Sequence, residues 1–176
     1  MANREALREL QSRLAQRLQA ARTESRSASW LAVESAGQGL LVALPSAGEI
    51  FPFGRVLPVP HTQPWFAGVA NLRGGLHGVV DLAAFLGLRP TLAAPESVRE
   101  SARLLALNPA LGSHSALLVE KLAGLRSAEQ LSAEPPAEGA RPPFAGPAWR
   151  DADGRVWQEI DLAALAQHER FLAIAA

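Results

Sequence analysis

From Trp30 onward the chain alternates short apolar runs with turn-forming residues. The runs are Trp30–Val33, Leu40–Leu44, Arg55–Val59, Gly68–Leu72, Leu76–Val80, Arg103–Leu107, Ala116–Val119 and Val156–Asp161, each bounded by Gly, Pro or polar residues. Brief runs punctuated in this way predict the strands of an all-β barrel or sandwich. A long helical period appears at the start, where Leu7, Leu10, Leu14, Leu18 and Ala21 fall on one face and Arg, Glu and Gln on the other. With Asn3 as a cap, this predicts an amphipathic helix within residues 1–24, followed by a polar link and a main domain over 25–176. The leucine stripe has two readings: it packs on the protein's own body, or it docks a partner. Helical signal returns in short pieces at 82–87 and 162–175. The proline-rich stretch 133–147 and the Ser/Glu-rich stretch 95–102 read as loops.

The pattern repeats itself. FAGVANLRGGLHGVVDLAAFL begins at Phe66 and FAGPAWRDADGRVWQEIDLAAL begins at Phe144. Each runs Phe-Ala-Gly-x-Ala, a strand, a Gly-containing turn, a second strand, then Asp-Leu-Ala-Ala opening a helical turn. A shared order of elements points to duplication, hence to two similar small barrels in one chain. Within the first copy, Gly74-Gly75 between two apolar segments predicts a two-residue hairpin turn, because glycine reaches positive φ without steric cost. A phosphate-binding loop is excluded there, since it needs a helix after the Gly-rich turn and this turn leads into another strand. Asp81 reads as the cap of the short helix that follows.

Composition removes whole classes of function. The 176 residues contain no cysteine, which excludes disulfides, thiolate metal sites and Cys nucleophiles. Seventeen basic and 17 acidic residues balance to a formal charge of zero, against the basic excess of a nucleic-acid surface. No apolar run approaches the roughly 20 residues of a membrane span, and the charged first residues lack the apolar centre of a signal peptide. A cytoplasmic protein without membrane insertion is expected. The segment 1–26 is skewed toward Arg but has no aromatic residue to hold it on a bilayer.

Candidate chemistry is sparse. The four histidines His61, His77, His114 and His168 show no i, i+4 metal spacing, and no Gly-x-Ser-x-Gly occurs. A hydrolase therefore lacks its parts. Asp151-Ala152-Asp153-Gly154 starts like a calcium loop, but the Gly is two positions early and Leu162 stands where the closing Glu belongs. It reads as an Asp-Gly strand turn. A stand-alone SH3-like peptide-binding module wants an aromatic-lined groove, whereas this chain has no Tyr. Trp65 and Phe66 are expected to plug the core between barrels.

Residues 59–88, VPHTQPWFAGVANLRGGLHGVVDLAAFLGL, resemble the signature of the CheW-like adaptor domains of bacterial chemosensory arrays. That signature is Pro, a spacer, Gly-Val-x-Asn-Leu-Arg-Gly, two or three residues, apolar-apolar-Asp-Leu, then Leu-Gly-Leu. Glu49-Ile50, the stretch 116–126 with Glu120 in place of the family's Asp, and Asp161-Leu162 extend the resemblance over roughly residues 30–170. The wording Trp-Phe-x-Gly-Val-Ala-Asn and the added N-terminal helix resemble the pilus-linked branch of the family. The resemblance implies a mainly β fold of two intertwined five-stranded SH3-like barrels around a shared third core. The first barrel is expected at about 30–90, the second at about 95–165, with short helices and a C-terminal helix at 162–175. It implies no catalysis and no cofactor. Its partners would be the regulatory domain of a CheA-type histidine kinase and the cytoplasmic hairpin tip of a methyl-accepting chemoreceptor, with assembly into rings at membrane receptor arrays. By the same resemblance Asn71, Leu72, Arg73 and Gly74 lie near the receptor-facing groove, and Glu49 pairs with Arg73. A purely structural role for Arg73 stays open beside that one.

Overall fold

The computed structural model describes residues 29–89, 100–136 and 138–176. The helix expected over 1–24, with Leu7, Leu10, Leu14 and Leu18, lies outside the described residues, as does most of the loop expected over 95–102. The elements are β1 (Ser29–Ser35), β2 (Gln38–Ala43), β3 (Ala47–Pro52), β4 (Phe66–Leu72), β5 (Gly75–Asp81), α1 (Leu82–Phe85), β6 (Arg103–Leu107) and β7 (Ser115–Val119). They continue with β8 (Lys121–Ser127), β9 (Leu131–Ala133), β10 (Ala145–Asp151), β11 (Val156–Ile160), α2 (Leu162–Ala166) and α3 (Glu169–Leu172).

The strands form two sheets on one plan. One has the order β3-β6-β7-β5-β4 and the other β8-β1-β2-β11-β10-β9. Read from β3 and from β8, the successive pairings are antiparallel, antiparallel, parallel, antiparallel in both. The short edge strand β9 is the one addition. The sequence echo is thus the hairpin β4–β5 with α1 and the hairpin β10–β11 with α2. In each copy the Asp N–H donates to a carbonyl beside the hairpin's start, Asp81 to Trp65 and Asp161 to Phe144, both at 2.9 Å.

The two units do not follow one another along the chain. The six-stranded sheet takes β1 and β2 from the start of the chain and its remaining strands from beyond residue 120. The division at 30–90 and 95–165 is therefore corrected: one unit spans 47–119 and the other joins 29–43 to 121–160. The physical reason lies in burial on both faces. Along β1, Leu31 and Val33 enter a central core, while Trp30 and Ala32 enter the six-stranded unit's own. Likewise β7 sends Leu117 and Val119 to the centre and Ala116 and Leu118 to the five-stranded unit's core. Strands with two buried faces read as continuous apolar runs and sit inside sheets. Three cores result, and the central one also receives Trp65, Phe85, Leu165 and Phe171.

Three further expectations are modified. Arg55–Val59 is not a strand: Pro58 and Pro60 remove ladder donors, and only Leu57 bridges, to Val69. The run Leu40–Leu44 ends at Ala43, with residues 44–46 forming a 3₁₀ turn opened by Pro45. The segment 162–175 is two short helices rather than one, because His168 leaves the helix and its Nδ1 accepts the Arg170 N–H at 3.2 Å.

Candidate functional site

The five-stranded sheet has β3 and β4 as its two edges. Both edges nevertheless line a single recess of about 390 Å³, together with Leu104 of β6 and residues 54–55. The sheet has curled until its edges face each other, as a small barrel does. The segment after β3 closes the gap: Leu57 and Val69 exchange both backbone hydrogen bonds at 2.8 Å. That approach needs Gly68, whose φ is +132° and whose place could not hold a Cβ.

Four of the residues expected at the site by resemblance meet there: Glu49, Asn71, Leu72 and Arg73 all line the recess, whereas Gly74 sits on the turn beside it. The hairpin turn is one residue earlier than expected. Leu72 pairs with Gly75, so the turn residues are Arg73 and Gly74, with φ of 50° and 83°. Two successive positive φ values define the tight turn whose twist matches a hairpin. Arginine at the first position is a strained choice, since side chains with a Cβ seldom enter this region. Asn71 offsets it, its Oδ1 accepting the Gly74 N–H at 2.8 Å. Asn71→Ala is expected to lower stability by about 0.5–1.5 kcal/mol, measured by urea unfolding. A larger loss would mean that Asn71 anchors more than this turn.

Arg73 Nη2 meets Glu49 Oε1 at 2.8 Å across the mouth of the recess, linking the β3 edge to the hairpin. The side chains are 77% and 43% exposed, so the pair orients the arginine while contributing little net stability. Phe51, Leu72 and Leu104 give the recess an apolar floor, and Ile50 stands at its lip, 37% exposed. The recess thus offers apolar contact, one carboxylate and two guanidinium groups, a surface that can hold a partner's side chain.

A second constellation was not anticipated from the sequence. Asp81 is fully buried at the end of β5 and caps α1, accepting the Ala84 N–H at 3.3 Å. Arg89 grips it with both terminal nitrogens, Nη2 to Oδ1 at 3.1 Å and Nη1 to Oδ2 at 3.0 Å. The same guanidinium reaches Glu120 Oε1 at 3.2 Å, and Glu120 Oε2 accepts the Ala36 N–H in the β1–β2 turn at 3.0 Å. One arginine thereby ties the five-stranded unit to a turn of the other. Burial pushes the Asp81 carboxyl above its ordinary range, against the pull of Arg89 and the backbone of Ala84 and Ala83. The cap was legible in the sequence, but its partners lie eight and 39 residues away and carry no local signal.

The remaining candidates resolve structurally. His77 and His114 face each other with ring centroids 6.0 Å apart, and the described residues hold no group of three metal-ligating side chains. Asp151 is consumed by its turn: Oδ1 accepts the N–H groups of Asp153 and Arg155, and Oδ2 accepts the Trp157 indole N–H at 2.8 Å. Trp65 is buried in the central core, edge-on to Phe66 and Phe85. No helix among the described residues is long and apolar enough to cross a membrane.

Two β units on one plan, packed on a shared core and carrying a solvent-open recess with an apolar floor, offer a surface on which another protein can dock. The model of the CheW-like domain matches residues 29–170, and the chain belongs to that family of chemosensory adaptor domains. Protein PilI of Pseudomonas aeruginosa is 31% identical over 169 residues, covering 93% of this chain and 89% of the relative. The crystal structure of the scaffolding protein TtCheW from Thermoanaerobacter tengcongensis superposes with a TM-score of 0.63 at 17% identity, over 77% of this chain and 85% of that one, a likeness of fold.

Proposed function

We propose that this chain is a non-enzymatic adaptor that couples a chemoreceptor to a CheA-type histidine kinase, in a pathway controlling type IV pili and twitching motility. It works in the cytoplasm, recruited to membrane receptor arrays. Family membership and the similarity to PilI support the class and the branch. The observation that carries the site is the recess in which Glu49, Asn71, Leu72 and Arg73 converge. An apolar floor with a polar rim suits a protruding side chain of a protein partner. The receptor's cytoplasmic tip takes this recess, and the kinase's regulatory domain is the second partner.

The test is a pull-down and titration with the cytoplasmic fragment of a chemoreceptor and the regulatory domain of the kinase from the same organism. Arg73→Glu sets two carboxylates against each other at the mouth of the recess and is expected to weaken receptor binding by at least about tenfold. The melting temperature should stay within about 3 °C of the natural chain, since the exposed pair contributes only about 0–1 kcal/mol. Exchanging Glu49 and Arg73 together should recover part of the affinity. Binding of neither partner at micromolar concentration would remove the adaptor reading.

A further inference from the structure

The rim of the recess carries three charges, and two of them cancel. Glu49 and Arg73 meet at 2.8 Å. Arg55, exposed on the same rim, makes no ion pair or hydrogen bond among the described residues. Its backbone is nonetheless held on both sides: the Phe53 N–H donates to Ala102 at 3.3 Å, and Leu57 is bonded to Val69. The backbone that carries Arg55 is thus ordered before binding, and only its side chain has to be immobilised when a partner is engaged.

We propose that the recess takes an apolar side chain of the receptor with a carboxylate next to it, and that Arg55 receives that carboxylate. This rests on the assignment of the recess to the receptor. The floor of Phe51, Leu72 and Leu104 and the lip of Ile50 favour an apolar occupant, because covering them gains the hydrophobic term, whereas a polar group laid on them would lose its water without a hydrogen-bond partner. The uncompensated charge sets the sign of the neighbour. A guanidinium fork matches a carboxylate with two parallel hydrogen bonds. Arg73, already engaged by Glu49, positions the hairpin, while Arg55 discriminates among partners.

The experiment titrates the receptor's cytoplasmic fragment into the full chain and its variants at 50 and 300 mM salt. Arg55→Glu is expected to weaken binding at least about tenfold at low salt. Arg55→Lys should retain part of the affinity and the salt dependence, and Arg55→Gln should lose most of both. The melting temperature should not move, because Arg55 has no partner to lose among the described residues. Should Arg55→Glu lower it, Arg55→Gln decides: affinity and salt slope equal to the natural chain's overturn the inference. If Arg73→Glu weakens binding and Arg55→Glu leaves it within twofold, the carboxylate assignment falls and the receptor site stands. If neither changes binding, the recess is not the receptor site and both fall.

Discussion

Arg89→Leu is expected to lower stability by about 3–5 kcal/mol at pH 7, and by clearly less near pH 4. Asp81 has no exposure to water, and Arg89 supplies the cation that faces both of its oxygens. Leucine fills much of the space and leaves a carboxylate in the interior with only the backbone of Ala83 and Ala84 to face it. The pH dependence has a definite sign. Even with Arg89 in place, burial holds the Asp81 carboxyl above its ordinary value of 3.8. The fold therefore favours the protonated form relative to the unfolded chain. That contribution to stability is complete below the unfolded value and is lost as pH rises through the raised folded one. Removing Arg89 raises the folded value further, so the deficit of the variant grows with pH. Urea unfolding of both chains at pH 4 and pH 7 measures it. The double variant Arg89→Leu with Asp81→Asn should regain part of the loss at pH 7, since asparagine keeps an acceptor for Ala84 and carries no charge. A deficit equal at both pH values and untouched by the second substitution would place the cause elsewhere, in the Glu120 link to Ala36.

The sequence exposes what is local and hides what is shared between distant segments. Asp81 and Asp161 were readable as caps because the signal lies within three residues of the helix they open. The β4–β5 and β10–β11 hairpins were readable from their echo. Strand β3 was not, because AGEIFP ends in proline and alternates poorly at a sheet edge where half its residues are exposed. β8 carries Gly124 at a φ of +91° beside a register shift, and β9 has only three residues. The turn lies one position earlier than the glycine pair suggests because two glycines sit side by side, and the choice of Arg73 over Gly75 depends on Asn71 reaching forward to accept the Gly74 N–H. The exchange of β1 and β2 into the far unit is set by parallel pairing of β2 with β11, more than a hundred residues apart in sequence. Such pairing leaves no local trace beyond strands that are apolar on both faces. Of the site, the family-like motif marked Asn71, Leu72, Arg73 and Glu49. Arg55 carried no such mark, because its importance comes from an unmatched charge that only the arrangement of the other two reveals.

Gly68→Ala is expected to be the other severe substitution, and it differs from Arg73→Glu in what it damages. The residue lies at the irregularity in β4 between Phe66 and the regular ladder, at a φ of +132°. A Cβ there would fall 2.0 Å from the Leu57 carbonyl oxygen, 2.6 Å from its carbon and 2.9 Å from Pro58 Cα. All three are backbone atoms, so no side chain can swing aside. The cost combines about 1–3 kcal/mol of backbone strain with about 1–3 kcal/mol of steric displacement, a fall in melting temperature on the order of 10 °C. Gly74→Ala is the control: its φ of +83° is also unfavourable, but nothing lies within 4 Å of the added methyl, which leaves about 1–2 kcal/mol of conformational cost. The displaced segment is the one that carries Arg55 and walls the recess. Gly68→Ala should thus lose partner binding together with stability, whereas Arg73→Glu should lose binding alone. The Leu57 and Val69 amides should exchange with deuterium ahead of the rest of the β4 ladder in the variant, because their mutual bonds at 2.8 Å break when the 55–59 segment moves off β4. Protection of those two amides at the level of the natural chain, with an unchanged melting temperature, would mean that the 57–69 contact is not what closes this unit.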